Sequence, residues 1–287
     1  MTYSFLNRFC GALVGSYLGE TLILHQSGIH PKTKNWTKIG VDNSESLLFG
    51  QDQNTQTINN LSRLNNLSSS EVAIMSLARL LLCSESSDLL KEEVGQIADY
   101  SAKIRENILL WGHALSLACC EQKLTSQFID KIVLIASSEM GSNQSLLLEI
   151  KKSLDRNTSL QAVTEALPRQ NEFSPFALAL YCFATTPEDF QLCIQRAIFA
   201  NYQPRITAAL AGAIAGAYNS TSGIPLTLRT HQDCRLDLDR LKQFARKLFA
   251  YWSGIYELKE NCFSSTPAIA SPNQIQSRSF FKTISQK

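Results

Sequence analysis

The chain has 287 residues, 27 Lys and Arg against 25 Asp and Glu, a net charge of +2 and a charged fraction of 18%. This balance argues against a nucleic-acid partner, because proteins that bind a phosphate backbone concentrate a clear basic excess. No apolar run reaches the ~20 residues that span a bilayer, so a membrane is not an expected partner either.

Eight cysteines are spread along the chain. Only Cys119 and Cys120 are close in sequence, and adjacent residues do not have the paired spacing of a zinc site. Most of the others lie in apolar runs, where a free cysteine behaves as a small hydrophobic residue. A reduced, cytoplasmic protein is therefore expected.

The first predicted helix lies near the N-terminus, where large apolar residues recur at steps of four. These residues are Phe5, Phe9, Leu13 and Tyr17. At this spacing they share one face of a helix. The stretch 26–67 that follows is rich in Asn, Gln, Ser and Thr, which predicts a long surface loop with short ordered pieces.

Helical periodicity returns after this stretch. Ser68 and Glu71 have the spacing of a capping box ahead of an apolar run. Thr186 and Pro187 have the pattern of an N-cap followed by proline at the first helical position. Further segments with a helical pattern are 89–104, 107–122, 127–140, 146–155, 159–167, 174–184 and 236–258. The alternation typical of strands is absent, so the predicted fold class is all-α.

Composition divides the chain near residue 257. Residues 1–257 are predicted to form a single compact multi-helix domain, and the lack of a fixed-period repeat argues against a helical solenoid. From 258 to 287 Ser, Thr, Pro, Asn and Gln predominate, which predicts a polar, mostly disordered tail.

The segment 201–220, NYQPRITAALAGAIAGAYNS, predicts a buried central helix. Gly212 and Gly216 form a small-xxx-small pair, and a glycine costs a helix about 1 kcal/mol unless close packing compensates. Gln203 is a weak N-cap and Pro204 suits the first turn. Arg205 opposes the positive end of the helix dipole. It therefore either bends into water or faces a pocket and meets an anionic group.

This segment resembles the C-terminal signature of the ADP-ribosylglycohydrolase family. In that family Gly-Gly-Asp-x-Asp-Thr leads into Ala-Gly-Ala-x-Ala-Gly-Ala-Tyr, and an Ile-Pro follows, like AGAIAGAY at 211–218 and SGIP at 222–225. The opening RFCGALVGSYLGETLI at 8–23 is similar to the family's N-terminal motif. The resemblance implies a compact all-α domain of that type.

The resemblance also implies a reaction. Family members hold two Mg²⁺ or Mn²⁺ ions with an early Thr-Asp-Asp-Thr and the late Asp-x-Asp-Thr. Hard divalent cations need several oxygen ligands, mostly carboxylates, and such a pair activates water to cleave the N- or O-glycosidic bond of ADP-ribose.

This chain departs from the family at the metal-binding positions. The early motif falls on Ser68, Ser69, Ser70 and Glu71, and the late one falls on Gln203, Pro204, Arg205 and Ile206, after Asn201 and Tyr202 in place of two glycines. Glu20, after Gly19, is the retained carboxylate. We therefore predict no metal ligand, no catalytic residue and no cofactor. The candidate ligand-binding residues are Glu20, Ser69, Ser70, Glu71, Gln203 and Arg205.

Two functional hypotheses follow. In the first, the protein is a catalytically inactive member with a binding, regulatory or scaffold role, and its partner is a protein or a metal-free ADP-ribose or phosphate held by Arg205. In the second, it is an active glycohydrolase that removes ADP-ribose from a modified substrate. That enzyme would use an altered Mg²⁺ or Mn²⁺ centre or a metal-free one, with Glu20 and Glu71 as the acid/base candidates.

Two other features have structural interpretations. His113 lies on an apolar helix and is predicted to be a core or boundary residue. The last long helix carries a basic face, predicted to be solvated, with an acidic partner or a membrane surface as the alternative. Its residues are Arg235, Arg240, Lys242, Arg246 and Lys247.

Overall fold

The computed structural model describes residues 4–26, 35–49, 67–96, 101–120, 127–139, 143–230 and 235–254. These ranges contain fourteen helices and no strand, which confirms the all-α prediction. In chain order they are α1 (Phe5–Gln26), α2 (Trp36–Phe49), α3 (Ser69–Met75), α4 (Leu77–Leu82), α5 (Ser87–Gln96), α6 (Ala102–Cys120), α7 (Phe128–Glu139), α8 (Gln144–Asp155), α9 (Leu160–Ala166), α10 (Ser174–Thr185), α11 (Phe190–Phe199), α12 (Pro204–Gly223), α13 (Leu226–Arg229) and α14 (Arg235–Trp252). The predicted tail 258–287 lies outside the described residues.

Helices α1 and α12 form the centre of the fold and pack with their backbones in contact. A Cβ atom added to Gly15 would lie 2.1 Å from the carbonyl oxygen of Gly212, and one added to Gly216 would lie 2.0 Å from that of Gly11. No side chain fits at such distances, so the glycines are required here. The small residues of α12 thus serve close helix packing, as the sequence predicted.

The two helices run antiparallel. A Cβ atom on Gly11 would meet Gly216, one on Gly15 would meet Gly212, and one on Gly19 would meet the Ala208 carbonyl oxygen at 2.1 Å. Following this register, the C-terminal part of α1 lies beside the first turn of α12. The register therefore places the residues after Gly19 next to those before Ala208.

Helix α2 corrects the prediction of a surface loop between 26 and 67. Its fourteen residues include a buried face formed by Thr37, Gly40, Val41 and Ser44. A Cβ atom on Gly40 would lie 2.2 Å from the carbonyl oxygen of Met75, so α2 packs closely on the end of α3. The buried face consists of small and polar residues, which is why composition alone indicated a loop. The rest of the predicted loop, 27–34 and 50–66, lies outside the described residues.

The start of α11 also differs from the prediction. The helix begins at Phe190, and its N-cap is Asp189, whose carboxylate accepts a hydrogen bond from the Leu192 amide at 2.9 Å. The Thr186 hydroxyl instead donates to the Cys182 carbonyl oxygen at 2.9 Å, at the end of α10. The predicted cap at Thr186 was wrong because Asp189 provides a cap one turn later.

Two of the five cations on the basic face of α14 pair with acids of α2. Arg240 pairs with Asp42 at 2.6 Å, and Lys247 pairs with Glu45 at 2.8 Å. Asp42 and both cations remain about half exposed and Glu45 is 29% exposed, so each pair contributes roughly 1 kcal/mol or less. Arg240 and Lys247, which were predicted to be solvated, are therefore matched by acids of a neighbouring helix.

Three further predictions concern the cysteines, His113 and membrane-spanning helices. The six cysteines within the described ranges are free thiols. His113 is buried in α6, as predicted. No helix in these ranges has both the length and the apolar character needed to cross a membrane.

Candidate functional site

Glu20 of α1 lies at the centre of the candidate site and is fully buried. Its Oε1 accepts hydrogen bonds from the Thr37 amide at 2.8 Å and the Thr37 hydroxyl at 2.5 Å. Its Oε2 accepts from the Trp36 amide at 2.8 Å and from Nη2 of Arg205 at 3.1 Å. The carboxylate is therefore engaged on both oxygens.

The backbone donors to Glu20 belong to the first turn of α2. The first amides of a helix have no partner within the helix, and the positive end of the helix dipole favours an anion there. Glu20 supplies that anion from another helix. The hydroxyls of Thr37 and Ser16 are also bonded to each other at 2.9 Å. Glu20 thus anchors the start of α2 to α1.

Burial raises the pKa of the Glu20 carboxyl above its usual range. Removal from water disfavours the charged form, while the hydrogen bonds from Thr37 and Trp36 and the positive charge of Arg205 favour it and offset part of the rise. The guanidinium is the positively charged group that faces this carboxylate.

Arg205 turns back toward α1 from the first turn of α12. Its side chain is 24% exposed, whereas that of Glu20 is 0% exposed. Of the two orientations expected from the sequence, the structure shows the one in which Arg205 meets an anionic group, and that group belongs to the same chain. The carboxylate also offsets the cost of a cation at a helix N-terminus.

Glu71 takes part in the start of its own helix. The Ser68 amide donates to Glu71 Oε2 at 2.9 Å, and the Glu71 amide donates to the Ser68 hydroxyl at 3.3 Å. This is the capping box predicted from the sequence. The Glu71 carboxylate therefore closes the N-terminus of α3 through its hydrogen bonds with Ser68.

Ser69 belongs to a buried polar network that sequence reasoning missed. Its hydroxyl donates to the Glu172 carboxylate and accepts from the Asn107 side-chain amide at 3.0 Å. The oxygen of Asn107 in turn accepts from the Asn143 amide at 2.7 Å. The one available signal was Asn107, a polar residue on the apolar face of α6. Next to Ser69, the hydroxyl of Ser70 is buried and has no hydrogen-bond partner among the described residues.

Gln203 lies apart from the other candidates. It lines an open cleft of about 640 Å³ together with Tyr202, Phe199 and residues of α9. Asn201 and Gln203 have left-handed backbones, with φ of 51° and 41°. Glycine adopts this conformation readily and asparagine tolerates it. Tyr202 is buried between them and donates to the carbonyl oxygen of Arg169 at 3.2 Å.

The structure therefore joins Glu20 to Arg205 and divides the other predicted residues among separate contacts. Ser69 bonds Glu172 and Asn107, Glu71 bonds Ser68, and Gln203 lines a cleft on α9 and α11. Within the described ranges, no group of three or more His, Cys, Asp or Glu side chains lies close enough to hold a metal ion.

Comparison with models of protein families gives a match. The family model described as ADP-ribosylglycohydrolase matches residues 25–257, well over half of the chain. A search of curated proteins found no match. The matched range contains α2 to α14 and therefore the early and late motifs, while most of α1 precedes it. The chain belongs to the ADP-ribosylglycohydrolase family.

Proposed function

We propose that this chain is a non-hydrolytic family member, independent of metal ions, with a binding, regulatory or scaffold role. The observation that carries the proposal is the Glu20–Arg205 contact, in which Nη2 of Arg205 lies 3.1 Å from the carboxylate. By the resemblance, Arg205 stands where the family has a metal-binding aspartate. The guanidinium of Arg205 then takes the place of a metal ion beside Glu20, the carboxylate that the resemblance retains.

The side chains of the site do not fit two divalent cations. Two Mg²⁺ or Mn²⁺ ions ~4 Å apart need several carboxylate oxygens to supply ligands and to offset their repulsion. The positions that the resemblance assigns to the four aspartates carry Ser69, Ser70, Gln203 and Arg205. Hydroxyl and amide oxygens are neutral, and a guanidinium repels cations. The donor set thus supports a family member without the metal centre.

The carboxylates considered as acid and base are both engaged elsewhere. A general base must reach the proton that it removes, directly or through one water molecule. Glu20 is fully buried, and both of its oxygens accept hydrogen bonds from α2. Glu71 accepts two hydrogen bonds from Ser68. These contacts favour structural roles for the two residues over the active-enzyme hypothesis.

A second candidate function is metal-free binding of ADP-ribose at Arg205. One observation favours it: the Arg205 side chain keeps 24% of its surface exposed, so a ligand phosphate could contact the guanidinium. The planar fork of arginine matches phosphate geometry. Glu20 neutralises part of this charge, so we expect weaker binding than an arginine without an acid partner would give.

A hydrolysis assay tests the main proposal. Purified full-length protein is incubated with peptides ADP-ribosylated on arginine or on serine, in Mg²⁺, in Mn²⁺ and in EDTA, and free ADP-ribose is measured by mass spectrometry. We expect no release above the rate without protein. Release that requires Mg²⁺ or Mn²⁺ would refute the proposal, and release in EDTA would support a metal-free enzyme instead.

Calorimetric titration with ADP-ribose tests the second candidate. Equal binding in Mg²⁺ and EDTA that is lost in Arg205→Gln would support recognition by the guanidinium. The matched control is Arg156→Gln, which removes the same charge at an exposed position at the end of α8. The absence of heat in both buffers would leave a protein partner as the expected ligand.

A further inference from the structure

A second open cleft lies among α7, α8, α10 and α11. Its volume is about 780 Å³, within the range of small-molecule sites. The candidate residues Glu20, Ser69, Ser70, Glu71, Gln203 and Arg205 are not among its lining residues. Whatever this cleft binds is therefore separate from the site described above.

Arg196 of α11 is the distinctive residue of this cleft. Its guanidinium carbon lies 5.9 Å from the ring centroid of Tyr181, which is itself buried. Tyr181 is fixed in turn, because its hydroxyl donates to the carbonyl oxygen of Thr158. A guanidinium held against a fixed aromatic ring has lost much of its side-chain freedom before a ligand arrives.

The positive charge of Arg196 is not matched by an acid within the described residues. No carboxylate there forms an ion pair with it, and its Nε is buried without a hydrogen-bond partner. The other cation of the cleft, Lys151, pairs with Asp130 at 2.5 Å. The remaining acid of the lining, Asp155, is exposed to solvent. An anion entering the cleft therefore meets a fixed cation that has no ion-pair partner among the described residues, in a lining that also carries the Asp155 carboxylate.

The neighbouring groups suit an oxyanion. Thr158 lines the cleft beside Tyr181, so its hydroxyl accompanies the guanidinium, whereas the Thr185 hydroxyl donates to the carbonyl oxygens of Tyr181 and Cys182. Because Nε is buried, a ligand would reach the guanidinium through its terminal nitrogens, whose spacing matches two oxygens of a phosphate or carboxylate.

We propose that this cleft binds the phosphate or carboxylate group of a small molecule through Arg196. The volume exceeds what a single phosphate ion fills, so the remainder of the ligand would occupy the space toward α7 and α8. The proposal does not depend on the function proposed for Glu20 and Arg205.

Calorimetric titrations at constant ionic strength test the proposal. The probes are inorganic phosphate, ribose 5-phosphate and citrate, which separate a free anion, a phosphorylated small molecule and a polycarboxylate. We expect saturable binding of at least one probe, weakened tenfold or more in Arg196→Gln. Arg156→Gln should bind like the unmodified chain. No saturable binding of any probe up to about 10 mM, or equal binding by Arg196→Gln, would overturn the proposal.

A measurement on the unmodified protein decides the case if Arg196→Gln does not fold. In amide NMR spectra, bound ligand should shift the resonances of 157–160 and 181–185, the segments that line the cleft. Shifts confined to other regions would contradict the assignment. Shifts near Gln203 alone would place the anion in the cleft on α9 and α11.

Discussion

Glu20 and Arg205, 185 residues apart in the sequence, meet in a hydrogen-bonded ion pair at 3.1 Å where the end of α1 lies beside the start of α12. The glycine register of these helices brings the two residues together, and the first turn of α2 completes the hydrogen bonds to the carboxylate. The same contact thus joins three helices and occupies the position that the family resemblance assigns to a metal ligand.

Removal of Arg205 should destabilise the protein. Arg205→Ala leaves the Glu20 carboxylate buried without its counter-charge, and loss of one partner of a buried pair costs about 3 kcal/mol. The free energy of unfolding, measured by urea denaturation, should fall by about this amount. Arg156→Ala is the control and should change it by less than ~0.5 kcal/mol. Equal stability of the two variants would show that the ion pair is not structural.

Titration of Glu20 should make the free energy of unfolding depend on pH. Its raised pKa means that, between the usual glutamate pKa and the folded value, the folded state binds more protons than the unfolded state. The contribution of this group to the unfolding free energy therefore falls as the pH rises through that interval. Glu20→Gln lacks this titration. We subtract the unfolding free energy of Glu20→Gln from that of the unmodified chain. This difference should be larger near the acid end of the interval than at about pH 7.

Denaturation curves of both proteins at several pH values measure this difference. Because the other carboxyl groups are common to both chains, subtraction removes most of their contribution. A difference that grows as the pH rises would mean that the folded pKa lies below the usual value. Hydrogen bonds would then outweigh burial at Glu20.

The contact between α1 and α12 should not tolerate a methyl group. In Gly15→Ala the new Cβ would lie 2.1 Å from the Gly212 carbonyl oxygen, which is backbone and cannot rotate away. We expect a loss of about 3 kcal/mol or failure to fold. The control is Gly95→Ala in α5, where nothing lies within 4 Å and higher helix propensity predicts a gain of up to ~1 kcal/mol. A neutral Gly15→Ala would contradict the close packing.

The buried network around Asn107 should also be sensitive to substitution. Asn107→Ala leaves the buried side-chain amide of Asn143 without its acceptor, which costs about 1–3 kcal/mol, and removes one hydrogen bond to Ser69, which costs about 1 kcal/mol because Ser69 keeps its bond to Glu172. We expect a total loss of about 2–4 kcal/mol in urea denaturation. Glu172→Gln is the matched control, because it keeps an acceptor for Ser69 at an exposed position. A change in Glu172→Gln as large as that in Asn107→Ala would assign the stability to the surface carboxylate.

Local patterns allowed the sequence to predict part of this structure. The capping box of Ser68 and Glu71 spans four residues, and the glycines of α12 indicate close packing wherever the partner helix lies. The partner of Glu20 could not be predicted in this way. Its donors belong to α2, which lies within a polar stretch, and its cation lies 185 residues away. The network of Ser69, Asn107 and Glu172 is likewise formed by contacts between distant segments.

Metal uptake tests the central claim most directly. The full-length protein is dialysed against Mn²⁺ and then against buffer without metal, and bound manganese is measured by mass spectrometry and, at equilibrium, by calorimetry. The account predicts no stoichiometric Mn²⁺, because Arg205 and neutral side chains occupy the positions that the family resemblance assigns to the metal-binding aspartates. About two Mn²⁺ per chain would contradict it and return the protein to the metal-dependent hydrolases.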